Sequence, residues 1–334
     1  MRALCQNGPA QRWQDSARGT RISGHSPGAC RRAASDVPKP AGFGTQGYRD
    51  PSYLEGISAP LADVVVAESA NIDGGPASWI AANMHAVAAA IDSATTDQPM
   101  TVAMLCQWQG TLVQGSPLPS RYVGTIRDEQ GWIGGSSPLD AALVTPPPAH
   151  VPGLLNDLVA YANRTDLDPI AQTAFAHAQF EIIHPFADGN GRVGRVLVSW
   201  LLTRRLALIA PPPVSARMAA DRGGYLAGLT QFRLGMHDLW VDWFADTVTG
   251  AGNAQKSLVT ELSELQERWR FQIRTTIGAQ RALRTDSVAW RILELLPRHL
   301  VLTPKIVVRE SGRSERAAQT ALEQLRRVPM PLRR

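Results

Sequence analysis

The sequence has little cysteine and no long apolar run. Its three cysteines, Cys5, Cys30 and Cys106, have neither the even number nor the spacing of a disulfide framework, and no CxxC pair marks a zinc site. No stretch of about 18 apolar residues could span a bilayer, and the first residues lack the apolar segment of a signal peptide. We therefore expect a cytoplasmic protein with reduced thiols and no membrane partner.

Charged residues make up 19% of the chain, and their signs are unevenly distributed. The net charge is +5 at pH 7, yet residues 51–253 hold ten basic and eighteen acidic side chains. Residues 254–334 hold sixteen basic and eight acidic ones. Phosphate binding in the acidic middle must therefore depend on local geometry, because the overall field there repels anions. The basic ends could attract nucleic acid.

The composition changes along the chain and suggests where the folded part begins. Residues 1–50 mix Arg, Gly, Ser and Pro with almost no periodic apolar pattern, which is typical of a disordered basic tail. Apolar periodicity then predicts helices over 59–67, 78–91 and 102–112. Over 122–143, glycines interrupt short apolar runs, which indicates a small hairpin or extended flap.

Two helices are predicted to flank a short loop in the middle of the chain. Asp168 followed by Pro169 is a typical helix start, and Pro185 should end that helix near His184. Further helices are expected from 190 or 191 to 206, over 225–232 and over 239–248, followed by a charged helical connector over 251–285. The fold class is therefore mainly α with a short β-hairpin flap.

The loop between the two helices, HPFADGNGRVGR over 184–195, has the composition of a phosphate site. Gly189, Asn190 and Gly191 predict a tight turn whose amides point outward at a helix N-terminus, and such an arrangement binds anions. Arg192 and Arg195 are three residues apart on the first helical turns, where both can contact further phosphate oxygens.

Two more side chains are candidates for catalytic roles at this site. Asp188 lies beside the turn, where a carboxylate can hold Mg²⁺ that bridges phosphates. His184 ends the preceding helix and can face the same point as a general base. Together, the residues of the loop indicate phosphoryl or nucleotidyl transfer.

The same stretch resembles the signature of the Fic family (Fido fold), HxFx(D/E)GNGRxxR. Every specified position is matched, by His184, Phe186, Asp188, Gly189, Asn190, Gly191, Arg192 and Arg195. The segments GTIR, WIGG and LWVDWF also look like landmarks of the family, so that the resemblance covers about 52–250. It implies a Fic-type helical domain over 51–250 that transfers AMP from ATP to a protein hydroxyl.

The resemblance implies a role for each motif residue. His184 would deprotonate a Tyr, Ser or Thr hydroxyl of the target protein, which then attacks the α-phosphorus of ATP. Asp188 would hold Mg²⁺, and Phe186 would anchor the loop by packing. Phosphate binding would fall to the turn and the first helical residues, Gly189, Asn190, Gly191, Arg192 and Arg195. The nucleotide stays open, because related proteins also use UTP, GTP or CDP-choline.

A metal-dependent hydrolase is an alternative interpretation of the same region. His177, Glu181 and His184 share one helix face and could form a metal site with Asp188. This alternative leaves the Gly-Asn-Gly turn and both arginines unexplained. We therefore interpret His177 as a buried structural histidine near the site.

The Fic family often carries an inhibitory helix with the pattern (S/T)xxxE(G/N), whose glutamate pairs with the second motif arginine. Glu55 followed by Gly56 is the candidate here, although Pro51 occupies the position of the Ser or Thr. A pair between Glu55 and Arg195 would hold the resting enzyme at low activity. The alternative is a surface glutamate at a helix end. In some family members such a glutamate also supports removal of AMP, and the sequence leaves this open.

The resemblance further places a target-binding flap at 128–135 and 141–144. There, a target chain would add as an extended strand beside exposed backbone groups. Tyr225 and Trp240 are candidates for lining an adenine pocket, and core packing is the alternative for both.

The last segment, 286–334, has the pattern of a helix-turn-helix that resembles a truncated winged helix. Ser287, Thr303 and Ser314 are the expected N-caps, and Gly312 is expected to end the second helix. The third helix should turn Ala317, Ala321, Leu322 and Leu325 inward and Arg313, Arg316, Arg326 and Arg327 outward. The basic surplus fits DNA, but such a module also serves as a homodimerisation unit, and the sequence leaves both open.

Two classes of function therefore compete. The first is a protein adenylyltransferase with ATP as substrate, Mg²⁺, autoinhibition by Glu55 and an auxiliary helix-turn-helix. The second is a DNA-binding transcriptional regulator whose nucleotide pocket senses a ligand without turnover. Catalytic turnover is what would distinguish them.

Overall fold

The computed structural model describes residues 57, 59–70, 74–278, 283–284, 287–296, 299 and 302–328. The predicted basic tail at 1–50 and the segment around Glu55 lie outside these residues. Within them the chain is mainly helical with one antiparallel hairpin, as the sequence predicted. No helix of this part is long and apolar enough to cross a membrane.

The helices occupy most of the described chain. They are α1 (Leu61–Ala70), α2 (Pro76–Ala94), α3 (Val102–Leu112), α4 (Val151–Ala162), α5 (Pro169–Ile183), α6 (Asn190–Leu206), α7 (Val214–Ala220), α8 (Arg222–Arg233), α9 (His237–Gly278), α10 (Val288–Leu295), α11 (Pro304–Ser311) and α12 (Glu315–Arg326). Short 3-10 turns lie at Ser120–Tyr122 and Pro148–His150. The chain divides into two compact units, Met1–Ala251 and Gly252–Arg334, and the division falls within α9.

The core of the first unit is built around α5 and α6. Helix α6 packs against α2, α3 and α5, since it is apolar on several sides. Its buried side chains include Val193, Val196, Leu197, Trp200 and Leu201. The loop between α5 and α6 is therefore fixed by the most enclosed helices of the unit.

Two helices follow local signals in the sequence. Asp168 caps α5, since its Oδ1 accepts hydrogen bonds from the amides of Ile170 and Ala171 at 2.9 and 2.8 Å. The predicted span 102–112 agrees with α3 at both ends. Each of these starts has its own capping residue, which is why the sequence locates it well.

Three helices differ from the sequence prediction. Neither α4 nor α7 was predicted, although Pro152 in the first turn of α4 is compatible with a helix. The separate helix over 239–248 and the connector form one helix, α9, which continues through Gly250 and Gly252. The prediction of two elements there was wrong because isolated glycines lower helix propensity without ending a helix.

The flap is a minimal hairpin. Strand β1 (Trp132–Ile133) pairs antiparallel with β2 (Leu143–Val144), with Trp132 opposite Val144 and Ile133 opposite Leu143. The side chains of Trp132, Ile133 and Val144 are exposed. Because the strands are so short, the hairpin depends on contacts outside itself for its position.

The second unit has its own small core, formed by α10, α11, α12 and the last part of α9. The buried residues include Trp269, Ile273, Ile292, Val307, Ala318, Ala321 and Leu325. The hydroxyls of Ser287, Thr303 and Ser314 cap the three short helices, and Gly312 takes the left-handed conformation that ends α11. These caps and this terminator agree with the sequence prediction.

Candidate active site

The end of α5 fixes the candidate base. His184 follows the last helical residue in the left-handed region (φ 48°), and its backbone N–H still donates to Phe180 O. Its ring Nδ1 lies 3.3 Å from Glu181 O. A carbonyl can only accept, so Nδ1 carries the proton and Nε2 presents a lone pair. The local backbone thus selects the tautomer that a general base needs.

Burial keeps His184 neutral. Loss of solvation lowers the pKa of His184 to about 4, and the nearby Arg127 guanidinium acts in the same direction. The hydrogen bond to Glu181 O and the carboxylate of Asp188 oppose this shift. The imidazole is therefore unprotonated near neutral pH, as proton abstraction requires.

Asn190 holds the shape of the loop. Its Oδ1 accepts from Phe186 N at 2.9 Å, and its Nδ2 donates to Phe186 O at 2.8 Å. The Phe186 ring is buried beside Phe180, so it anchors the loop by packing, as expected. The Asn190 side chain therefore closes the turn, and anion contact here would fall to the backbone amides.

Gly189 opens α6 in a conformation that favours glycine. Its φ is 84°, and no side chain among the described residues caps the N-terminus of α6. A Cβ on Gly189 would lie 3.1 Å from Val113 Cγ1 and 3.6 Å from Arg192 Nη2. The glycine thus keeps backbone space at a helix N-terminus, where the partial positive charge of the helix dipole favours an anion.

The two motif arginines are buried at the first turns of α6, each with 3% of its surface exposed. Arg192 donates from Nη1 to Leu112 O at 2.7 Å, and its Nη2 lies 3.4 Å from Asp188 Oδ2. Arg195 lies close enough to His177 for its charge to lower the histidine pKa. The Arg192 guanidinium is therefore held beside the loop, and the buried Arg195 guanidinium lies near His177.

His177, Tyr225 and Trp240 form a buried polar and aromatic cluster beneath α6. The ring of His177 is fully buried, with Nδ1 3.1 Å from Gly194 O and Nε2 3.1 Å from the Tyr225 hydroxyl. Loss of solvation, with a smaller effect of Arg195, lowers the pKa of His177 to about 3. His177 is therefore a structural histidine, as the sequence suggested.

Tyr225 and Trp240, the candidates for lining an adenine pocket, both belong to this cluster. Trp240 has no exposed surface, stacks on His177 and donates from Nε1 to Ala174 O at 2.8 Å. Tyr225 is 6% exposed. Core packing, the alternative considered for both residues, accounts for their positions.

The metal-hydrolase alternative loses its main ligand in this arrangement. Both ring nitrogens of His177 are committed to Gly194 and Tyr225, so neither can bind a metal ion without breaking a buried hydrogen bond. Among the described residues, no three His, Cys, Asp or Glu side chains are grouped as a metal site.

Three residues to which the sequence analysis assigned no role support the site. Gln109 on α3 donates to Asp188 O at 3.1 Å and accepts from Gly124 N at 2.5 Å, so it joins the loop to the flap segment. Arg127 binds the backbone at the end of α5. Gly194 has no side chain where α6 passes closest to His177, whose Cε1 would lie 3.2 Å from an added Cβ. No local pattern marks such long-range contacts.

The fold and loop therefore define a helical protein in which the loop after His184 leads into the N-terminus of α6, a position that favours an anion. Residues 99–202 match the model of the Fic/DOC family. This match over residues 99–202 confirms the resemblance drawn from the motif. Glu55, the candidate inhibitory residue, lies outside the described residues.

Curated relatives match over short segments. The chain is 45% identical over 58 residues to the probable protein adenylyltransferase aq_aa38 of Aquifex aeolicus (strain VF5), covering 17% of this chain and 18% of that protein. It is 33% identical over 115 residues to the protein adenylyltransferase fic-1 of Caenorhabditis elegans, covering 34% of this chain and 20% of that protein. These matches span about a fifth of each relative.

A solved structure is similar over more of the chain. The crystal structure of a Fic family protein from Desulfovibrio desulfuricans G20 superposes with a TM-score of 0.50 and 20% sequence identity. The superposition covers 82% of this chain and 76% of that one. At this identity the similarity establishes the shared helical fold.

Proposed function

We propose that this protein transfers AMP from ATP to a hydroxyl side chain of a target protein. The observation that carries the proposal is the junction of α5 and α6. There, a short loop joins His184, whose burial favours the neutral imidazole, to Gly189, the N-cap of α6, where no side chain among the described residues caps the helix. A proton acceptor thus lies one short turn from a place that favours phosphate.

The reaction needs a base and a stabilised phosphate. Nε2 of His184 takes the proton of a Tyr, Ser or Thr hydroxyl, and the oxygen forms a bond to the α-phosphorus. The bond from the α-phosphorus to the bridging oxygen of the β-phosphate breaks, and pyrophosphate leaves with the electron pair. The amides at the start of α6 stabilise the charge on the α-phosphate.

Arg192 and Arg195 provide the positive charge for the remaining phosphates. The location of both residues in the first turns of α6 and their burial support this role. Burial strengthens their interaction with phosphate, because few water molecules compete there. The surrounding acidic surface would otherwise weaken nucleotide binding.

Asp188 is the residue that fits Mg²⁺. Its side chain is 57% exposed and keeps a carboxylate near Arg192, at 3.4 Å. Hard oxygen ligands of this kind suit Mg²⁺, which binds phosphates together with one or two carboxylates. When bound, Mg²⁺ would neutralise charge on the phosphates and on the leaving pyrophosphate.

The flap is the surface proposed for the target chain. Strands β1 and β2 expose apolar side chains, and a target segment in extended conformation would add to the hairpin through main-chain hydrogen bonds. Such docking tolerates many side chains, which suits a hydroxyl-bearing target of variable sequence.

Labelled ATP tests the proposal directly. Incubation of the full chain with candidate target proteins and α-labelled ATP should give labelled protein, while γ-labelled ATP should not. Label from the γ position would indicate phosphoryl transfer instead. Binding of ATP without transfer to any protein, including the chain itself, would favour a ligand sensor.

Isosteric replacement of Asp188 tests the metal role. For Asp188→Asn, we expect the Kd of Mg²⁺-ATP to rise about tenfold, equivalent to ~1.4 kcal/mol, because one anionic ligand is lost. Calorimetric titration with Mg²⁺, and again with chelator, measures both constants. An equal loss of affinity under both conditions would instead show that Asp188 acts through its contact with Arg192.

Glu55 is proposed as an internal inhibitor of this site. In that role its carboxylate pairs with Arg195 and occupies the place of the γ-phosphate. The partial match to the inhibitory pattern and the burial of Arg195 beside the helix N-terminus support the assignment. Its effect on turnover is considered in the Discussion.

A second candidate function is DNA binding by the C-terminal unit. Helix α12 buries Ala318, Ala321 and Leu325, while Arg313 and Arg316 at its N-terminal end are exposed. An exposed basic end on the third helix of a small three-helix unit has the arrangement of a helix-turn-helix. Homodimerisation is the alternative use of the same unit.

Salt dependence distinguishes the two uses. If the unit contacts phosphates, the logarithm of the association constant for a duplex should fall linearly with the logarithm of salt concentration. Arg313→Ala or Arg316→Ala should reduce the slope by about 0.9 each. Arg291→Ala, which removes a surface ion pair with Glu294 on α10, serves as the control. Concentration-dependent dimerisation without duplex binding would favour the alternative.

A further inference from the structure

Arg127 binds the backbone on both sides of the site. Its Nε donates to His184 O at 2.7 Å and its Nη2 to Ile183 O at 3.3 Å. Its own amide donates to Pro185 O at 2.9 Å. Three consecutive carbonyls at the end of α5 are therefore satisfied by one residue, where a helix otherwise leaves carbonyls without partners.

The same guanidinium holds both ends of the flap. Nη1 donates to Glu129 O at 2.8 Å, before β1, and Nη2 donates to Pro146 O at 2.6 Å, after β2. The hairpin itself has two residues in each strand. Thr145 and Gln130 also join the two ends to each other, whereas the Arg127 side chain ties both ends to the end of α5.

Arg127 occupies this place at an electrostatic cost. Only 4% of its surface is exposed, and its hydrogen-bond acceptors are backbone carbonyls. Desolvation accordingly lowers the pKa of the guanidinium below its usual value. The negative end of the α5 dipole offsets part of that cost. A buried guanidinium without a carboxylate partner among the described residues is costly, so its presence here indicates that several carbonyls need to be bound at once, which a neutral side chain would not do.

We propose that Arg127 is a positioning residue that couples the flap to the candidate base. The guanidinium fork holds the backbone of His184, which is in the left-handed conformation, and the two flap ends in one rigid arrangement. The hydroxyl of a target strand bound to the flap and the His184 imidazole that accepts the hydroxyl proton are thereby kept at a fixed relative position. This inference deepens the proposed transfer reaction and rests on it for its catalytic consequence.

Lysine separates positive charge from geometry at this position. A single ammonium has no planar fork, so it cannot reach the carbonyls of His184, Glu129 and Pro146 together. For Arg127→Lys we expect kcat to fall at least about tenfold, because the base and the attacking hydroxyl lose alignment. The Kd for ATP should change less than about twofold, because the phosphate-binding groups are on α6.

Gly131→Ala provides a second variant that keeps the guanidinium. An added Cβ would lie 3.0 Å from Thr145 Oγ1 and 3.4 Å from Arg127 Nε, and so would push on the fork. Arg205→Lys provides the matched control. Arg205 also binds carbonyls, those of Thr165 and Leu167, but at the start of α5, away from the loop. Its loss should lower stability and leave kcat unchanged.

Hydrogen exchange of the full chain supplies a readout that does not depend on turnover. Arg127→Lys should speed exchange in the flap and at the amides of His184 and Phe186 together, whereas Arg205→Lys should affect neither. A fall in kcat with this joint exchange supports the coupling, and Gly131→Ala should show the same pattern if Arg127→Lys does not fold.

Other results would overturn the coupling. An unchanged kcat, exchange that changes in the flap alone, or losses that match those of Arg205→Lys would show a merely structural role. If the parent chain transfers no AMP, the proposed function fails, while the joint exchange still decides whether Arg127 links flap and loop.

Discussion

Replacing His184 by alanine should reduce AMP transfer by about a thousandfold, within the range that general bases contribute. Because Nδ1 of this ring contacts Glu181 O and carries the ring proton, Nε2 remains available as the proton acceptor. Initial rates with α-labelled ATP measure the effect. ATP affinity should change little, because phosphate binding lies with α6.

The fold should tolerate this change. His184 is partly exposed at the end of α5, so its truncation creates no large cavity, and alanine tolerates the positive φ only somewhat less well than histidine. Thermal unfolding should therefore shift by only a few degrees. His184→Asn is a useful companion, because asparagine accepts the left-handed conformation more readily. Transfer by either variant at the parent rate would refute His184 as the base.

Replacing Glu55 by glycine should raise auto-modification by about tenfold. If the Glu55 carboxylate competes with the γ-phosphate for Arg195, its removal frees the guanidinium to orient the triphosphate for in-line attack. Loss of ~1.4 kcal/mol of competition corresponds to that factor. Glu55→Gln, which keeps the size and removes the charge, should give most of the same gain.

A double variant tests the shared partner. Combining Glu55→Gly with Arg195→Ala should abolish the gain, because both effects act through the same guanidinium. Additive effects of the two substitutions would mean that Glu55 acts elsewhere. Equal activity of Glu55→Gly and the parent would mean that Pro51 marks a displaced inhibitory segment.

The sequence predicted best those parts of the fold that depend on local signals. The start of α5 at Asp168, the start of α6 at Asn190 and the end of α11 at Gly312 each follow from a cap or a left-handed glycine. Helices α4 and α7 and the continuity of α9 were missed. In α9, packing overrides the low helix propensity of glycine.

The site was predicted as a set of residues but not as an arrangement. The motif placed His184, Asp188 and the two arginines together, since they lie within one loop and helix. It did not reveal that the Asn190 side chain is occupied by the backbone of Phe186. Contacts from Gln109 and Arg127 join segments 79 and 57 residues apart, and no periodicity encodes such distances.

The buried ring of His177 makes the fold sensitive to acid. The pKa of His177 is about 3 in the folded chain, against about 6.5 for an exposed histidine. Between these two pH values the ring is protonated in the unfolded chain and neutral in the folded one. Below about pH 6.5 this difference should remove ~1.4 kcal/mol of stability per pH unit until the folded ring itself is protonated. Denaturant unfolding at pH 5 and pH 7 would measure the loss, which His177→Gln should reduce. Part of the stability lost in acid would then come from a group that takes no part in the proposed reaction, in addition to the part from His184, whose pKa is also lowered.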